Sequence, residues 1–170
     1  GRIPSIEGTS EEMYVEKNPT APSSESIKLA ASNLSFTMGE GKTVAVTSVL
    51  PTEGKSFVIA NIAYSMANSG QRVVLLDLDL RRPRVEKILK AGKRTKGAVD
   101  VIMGTASIDE VVENYAENMD FIGVGSIPPN PTIVLSSKRI DTLLSELKQR
   151  YDRVLIDMPP AVVTSDVSLV

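Results

Sequence analysis

The chain has 170 residues, a formal net charge of −2, 42% hydrophobic and 24% charged residues, which is one globular domain's worth of ordinary composition. It contains no cysteine, histidine or tryptophan, and only 4% aromatic residues. Disulfides, thiol or imidazole chemistry and Ser-His-Asp catalysis are thereby excluded, base-stacking platforms are disfavoured, and the slight acidity argues against electrostatic binding of nucleic acid.

Residues 1–24 are polar and broken by Pro4, Pro19 and Pro22, so they are expected to form a linker or arm. The chain opens on Gly1-Arg2-Ile3-Pro4 without an initiator Met, which suggests a piece of a longer protein. No apolar run approaches the ~20 residues that span a bilayer. From Ser24, Ile27, Ala30, Ala31, Leu34 and Met38 recur at helical spacing, and Gly39 and Gly41 end the run. Thr43 to Val49 predicts a strand. Lys55 to Ser69 predicts a helix with Ile59, Ile62, Ala63 and Met66 on one face and Gly70 as its stop. Val73 to Leu76 is an unbroken apolar run ending in Asp77, the pattern of a strand buried on both faces.

The following stretch is expected to be mostly helical and polar. It carries a capping box at Ser107-x-x-Glu110. Met119 to Val124 predicts a third strand, and Pro128-Pro129-Asn130-Pro131 a stiff loop. A helix with Ile140, Leu143, Leu144 and Leu147 on one face comes next, then an apolar strand from Arg153 to Ile156 ending in Asp157. Strands alternate with helices and are not themselves alternating in polarity. That predicts an α/β fold of three layers, with a mostly parallel sheet between helices, over residues 25–170. Ligands of such sheets bind at the carboxyl ends of the strands.

Three strand ends carry the candidate chemistry. The first runs Val49-Leu50-Pro51-Thr52-Glu53-Gly54-Lys55-Ser56 and ends like a Walker A loop, although Val49 stands at the first consensus Gly position. A loop between a strand and a helix N-terminus aims successive N–H groups inward as an anion nest. Gly54 permits close approach, Lys55 reaches β- and γ-phosphates, and the Ser56 hydroxyl suits Mg²⁺. The bland alternative is a glycine turn before an ordinary helix. The second end, Asp77-Leu78-Asp79-Leu80-Arg81-Arg82-Pro83-Arg84, places two carboxylates two residues apart. They suit a metal-bound water or a hydroxyl proton, unless one of them merely caps the next helix. Arg81, Arg82 and Arg84 either neutralise phosphate, contact a neighbouring subunit or form a solvated helix start. The third end, Val154-Leu155-Ile156-Asp157, fits a Walker B strand with Asp157 toward Mg²⁺.

Together these residues resemble the bacterial tyrosine kinases of capsule and exopolysaccharide synthesis. The similarity runs through Val46-Thr47-Ser48, Pro51, Glu53-Gly54-Lys55-Ser56, Leu76-Asp77-x-Asp79-x-Arg81-Arg82-Pro83, Gly125-x-Ile127-Pro128-Pro129-Asn130-Pro131 and Tyr151-Asp152-x-Val154-x-Ile156-Asp157-x-Pro159-Pro160. The resemblance implies a P-loop fold and ATP- and Mg²⁺-dependent autophosphorylation on tyrosine, usually in trans between subunits. It implies nucleotide binding by Thr52, Glu53, Gly54, Lys55, Ser56, Phe57 and Arg81, and catalysis by Lys55, Asp77 and Asp79. Ser56, Asp77 and Asp157 would manage the metal, and Asp79 or Asp77 would accept the tyrosine proton.

The resemblance further implies a membrane chain-length-determinant or copolymerase domain as partner, in the same or a separate chain, at the cytoplasmic face of the bacterial plasma membrane. Self-association is implied through the helix Glu25–Ala31, where Lys28 and Ala31 stand in place of the family's two arginines. Thr52 stands where the family has Gly. The family's later strands and C-terminal tyrosine cluster are absent from the sequence, whose tyrosines are Tyr14, Tyr64, Tyr115 and Tyr151. A nucleotide-switch ATPase of the division and partitioning type and a nucleotide-binding regulator without kinase activity are the alternatives. Leu50, where the ATPases carry a signature Lys, disfavours the first of these.

Overall fold

A computed structural model describes residues 12–50, 53–92, 94–131, 134 and 138–160. In chain order they form α1 (Tyr14–Lys17), α2 (Pro22–Met38), β1 (Thr43–Val46), α3 (Lys55–Asn68), β2 (Val73–Asp77), α4 (Val85–Ile88) and α5 (Ala98–Met103). Then come α6 (Ile108–Val111), β3 (Glu113–Ala116), β4 (Met119–Ile122), α7 (Arg139–Arg150) and β5 (Arg153–Asp157).

The strands form one sheet in the order β1-β5-β2-β4-β3, parallel except for the β3–β4 pair. β5 therefore inserts between β1 and β2, and Asp77 lies directly beside Asp157 in register. Successive strand residues point to opposite faces, and the core divides accordingly. Val74, Leu76, Ile122, Val154 and Ile156 pack with α5, α6 and α7 on one side. Val73, Leu75, Met119, Phe121 and Leu155 pack with α2, α3 and α4 on the other. Every residue of β2 is buried, as its unbroken apolar run requires.

The expected fold class is present, with three differences of detail. β1 ends at Val46 and β4 at Ile122, short of the expected Val49 and Val124. A strand the periodicity did not suggest, β3, forms the antiparallel edge. Its residues Glu113, Asn114, Tyr115 and Ala116 are held by a two-residue turn in which Asn118 takes φ +61°. The arm is also more structured than its polar composition suggests. Pro22 begins α2 in the first turn, where its missing N–H costs nothing. Met13 and Val15 are buried in the same apolar cluster as α2 and α3.

Candidate active site

The site assembles at the carboxyl end of the sheet. Beyond β1, the Met158 amide donates to the Val46 carbonyl at 3.0 Å, and the Thr47 hydroxyl to the Pro159 carbonyl at 2.7 Å. The loop after β1 is thereby tied to the end of β5. Within the loop the Leu50 amide donates to a Glu53 carboxylate oxygen at 2.9 Å. Gly54 then takes φ +81° as the N-cap of α3, a left-handed turn that favours glycine. Its carbonyl accepts the first helical hydrogen bond, from the Val58 amide at 2.9 Å. The amides of the first helical turn are left without helical acceptors, an arrangement suited to an anion. Thr52, expected to bind the nucleotide, lies outside the described residues.

Lys55 folds over this turn into the sheet end. Its Nζ donates to Asp79 Oδ2 at 2.8 Å and to Asp157 Oδ1 at 2.9 Å, and lies 3.4 Å from the Ser56 hydroxyl oxygen. The lysine side chain is 9% exposed, Asp79 5% and Asp157 0%. Burial works against the Lys55 ammonium, but the carboxylates of Asp157 and Asp79 outweigh it and raise its pKa. Burial pushes the Asp157 carboxyl up, against the opposing pull of Lys55 and of the Ser56 hydroxyl. Burial and then the charge of Asp157 push Asp77 well above the usual carboxylate range.

The two carboxylates of the Asp-x-Asp element divide their duties. Asp77 is fully buried, and its Oδ1 and Oδ2 accept from the amides of Asp79 at 3.0 Å and Val85 at 3.3 Å. It holds the turn and caps α4 at Val85. Asp79 accepts the Arg82 amide at 3.1 Å on Oδ1 and presents Oδ2 to Lys55. Of the two, the capping role falls chiefly to Asp77. Asp157 Oδ2 is buried and accepts no hydrogen bond.

That orphaned oxygen beside a serine hydroxyl fits a hard divalent cation. Among the described residues no three carboxylates converge into a metal cage. The arrangement suits Mg²⁺, which takes one or two protein ligands and otherwise binds phosphate and water. The geometry thus brings Lys55, Ser56, Asp79 and Asp157 together, with Asp77 directly beneath. The Phe57 side chain faces the core and meets the Tyr14 ring edge-on at 6.3 Å, so only its backbone amide is available to a phosphate. Arg81 and Glu53 lie on the exposed rim.

The AAA domain family matches residues 41–167. Tyrosine-protein kinase wzc of Salmonella typhimurium is 34% identical over 156 residues, covering 90% of this chain and 21% of that protein. The chain spans about a fifth of the length of the first relatives it matches. CapB of Staphylococcus aureus is 31% identical over 156 residues, covering 91% of this chain and 68% of CapB. Among solved structures, the kinase domain of Escherichia coli tyrosine kinase ETK superposes with a TM-score of 0.87 at 27% identity, covering 95% of this chain and 65% of that one. Likeness to the septum site-determining protein MinD of Pyrococcus horikoshii, complexed with Mg-ADP, reaches a TM-score of 0.60 at 23% identity over 70% of this chain and 49% of that one, and shows a shared fold only. Strand order, phosphate-loop geometry and these similarities converge: the chain belongs to the bacterial tyrosine-kinase family.

Proposed function

We propose that this chain is the ATP- and Mg²⁺-dependent domain of a tyrosine autokinase that regulates the chain length and export of a capsular or exopolysaccharide. The observation that carries the reading is Lys55, seated at the N-terminus of α3 with its ammonium between Asp79 and Asp157. Phosphoryl transfer asks a protein mainly for positioning and charge stabilisation, and this cluster supplies both without histidine or cysteine.

The amides following Gly54 hold the phosphates, and Lys55 places its ammonium against the β- and γ-phosphate oxygens. Mg²⁺ would be held by Ser56 Oγ and Asp157 Oδ2, and when bound it neutralises the charge that develops on the transferred group. Asp79 is better placed than Asp77 to take the tyrosine proton, because Asp77 spends both oxygens on backbone amides. We place the domain at the cytoplasmic face of the plasma membrane with a chain-length-determinant or copolymerase domain as partner. The far greater length of relatives such as wzc supports this reading. Self-association through Glu25–Ala31 belongs to the same proposal.

Incubation of the protein with Mg-ATP, followed by phosphotyrosine blotting and phosphate release, tests it. Phosphotyrosine that forms in wild type and is lost in Lys55→Met supports the kinase. ATP hydrolysis without phosphotyrosine would replace it with a nucleotide-switch ATPase. Binding without turnover would leave a regulator.

A further inference from the structure

The arm before α2 grips the helix that carries the phosphate loop. Four helical residues cannot stand as an isolated helix, so α1 is held by what it touches. Met13 and Val15 are each 2% exposed. The Val15 amide, left without a helical acceptor at the start of α1, donates to Asn61 Oδ1 at 2.9 Å. Asn61 is completely buried, and its Nδ2 donates to the Phe57 carbonyl at 2.9 Å. Phe57 immediately follows Ser56, and its ring is the one that meets Tyr14.

Two outer fastenings complete the attachment. The Tyr115 hydroxyl on β3 donates to Glu16 Oε2 at 2.6 Å. Glu12 pairs with Lys17 and, at 2.5 Å, with Lys90 just after α4. A buried asparagine in the middle of an amphipathic helix is costly unless both ends of its amide are satisfied. Here one end is satisfied only by the arm. Undocking the arm would strip Asn61 Oδ1 of its backbone donor and uncover Phe57, one residue from the Lys55-Ser56 turn.

We infer that residues 12–17 form a regulatory strap: docked, they hold the first turn of α3 in its binding geometry, and tension or displacement in the preceding chain weakens the nucleotide site by releasing them. The nucleotide part of this inference rests on the proposed function; the mechanical coupling to α3 does not. Coupling between sites of this kind is typically worth 5- to 150-fold in affinity.

The test compares wild type with Val15→Asp, which places a charge in the buried seat. The milder pair Glu16→Gln, Tyr115→Phe removes only one of the two outer fastenings, that between β3 and α1. Hydrogen exchange is read at residues 12–17 and 54–61, and MgATP affinity is measured by titration. Val15→Asp should release the arm, accelerate exchange across 54–61 by about tenfold or more, and weaken MgATP binding by about fivefold or more. The double variant should shift both in the same direction by less. Should Val15→Asp lose cooperative unfolding, the double variant decides alone, by whether its 54–61 exchange rises with that of the arm. An arm that exchanges freely while 54–61 stays as protected as in wild type would overturn the strap. If wild type binds no MgATP, the proposed function fails, and the exchange comparison still decides the coupling.

Discussion

Lys55→Met is the usual disabling change at a phosphate-loop lysine, and here it should do more than abolish activity. Methionine replaces the aliphatic stem at similar volume, so apolar burial changes little. What disappears is an ammonium that makes contacts of 2.8 and 2.9 Å to two nearly inaccessible carboxylates. Removing one partner of a buried ion pair typically costs about 3–5 kcal/mol, because the other charge is stranded. The stranded groups limit that cost by taking up protons. Asp157 is already shifted upward by burial, and without Lys55 it moves further. A carboxyl with a raised folded pKa stabilises the fold fully only below its unfolded value, about 3.9, and that stability is lost as pH rises through the folded pKa. The variant's deficit should therefore be small near pH 4 and approach about 3 kcal/mol at pH 8. Urea denaturation of both proteins from pH 4 to pH 8 measures it. Adding Asp157→Asn to Lys55→Met should recover part of the loss at pH 8 and flatten the profile. Wild type and Lys55→Met differing by less than about 0.5 kcal/mol across this range would refute the buried-triad reasoning.

The same triad sets the alkaline limit. Lys55 has a raised folded pKa, so on the alkaline side its contribution persists to the ordinary lysine value of about 10.4 and disappears as pH climbs through the folded value; from about pH 8 upward, the denaturation midpoints of wild type and Lys55→Met should converge again above that point. Asp157→Asn should raise the Mg²⁺ concentration that gives half-maximal autophosphorylation by about tenfold or more, and an unchanged Mg²⁺ curve would remove Asp157 from the metal site. Gly125→Ala should cost about 3 kcal/mol or more. Gly125 sits at φ +77°, and an added Cβ would collide with the Gly97 backbone and the Asp100 carboxylate. Scanning calorimetry should show a fall of roughly 6–12 °C.

The two central strands could be read directly, because β2 and β5 are buried on both faces and leave uninterrupted apolar runs. The strand-loop-helix context around Gly54-Lys55-Ser56 was equally plain, since Gly54 does adopt the left-handed turn such a loop requires. β3 was not legible. An edge strand with one wet face has no apolar run, and Glu113-Asn114-Tyr115-Ala116 is fixed by pairing with β4 rather than by its own propensity. The arm escaped for a similar reason. Only Met13 and Val15 of its described residues are buried apolar groups, and their seat is made by residues of α2, α3 and α4 distant in sequence. Asn61 gave no signal at all: a lone polar residue on a helix reads as surface until its two partners are placed. The division of labour between Asp77 and Asp79 was hidden because extended spacing predicts that both point the same way. The chain instead turns immediately after β2, and Asp77 folds back onto the amides of that turn.

The sheet order explains why the site cannot be partial. Lys55 meets Asp79 across 24 residues of sequence and Asp157 across 102. The connection from β1 through α3 to β2 skips a position in the sheet, and β5 later fills it. Until β5 inserts, β1 has no partner among the described strands, the loop after β1 lacks its anchors at Met158 and Pro159, and Lys55 has only half of its counter-charge. Asp77 likewise lacks the stronger of the two carboxylate neighbours that raise its pKa until Asp157 arrives in register, Asp79 contributing less. Parallel pairing at such separation carries a large loop-closure cost before its contacts form. The functional cluster is thus completed by the last described strand rather than by the loop that names it. Changes that weaken β5 insertion should then remove nucleotide binding and global stability together, whereas changes in the arm should separate the two.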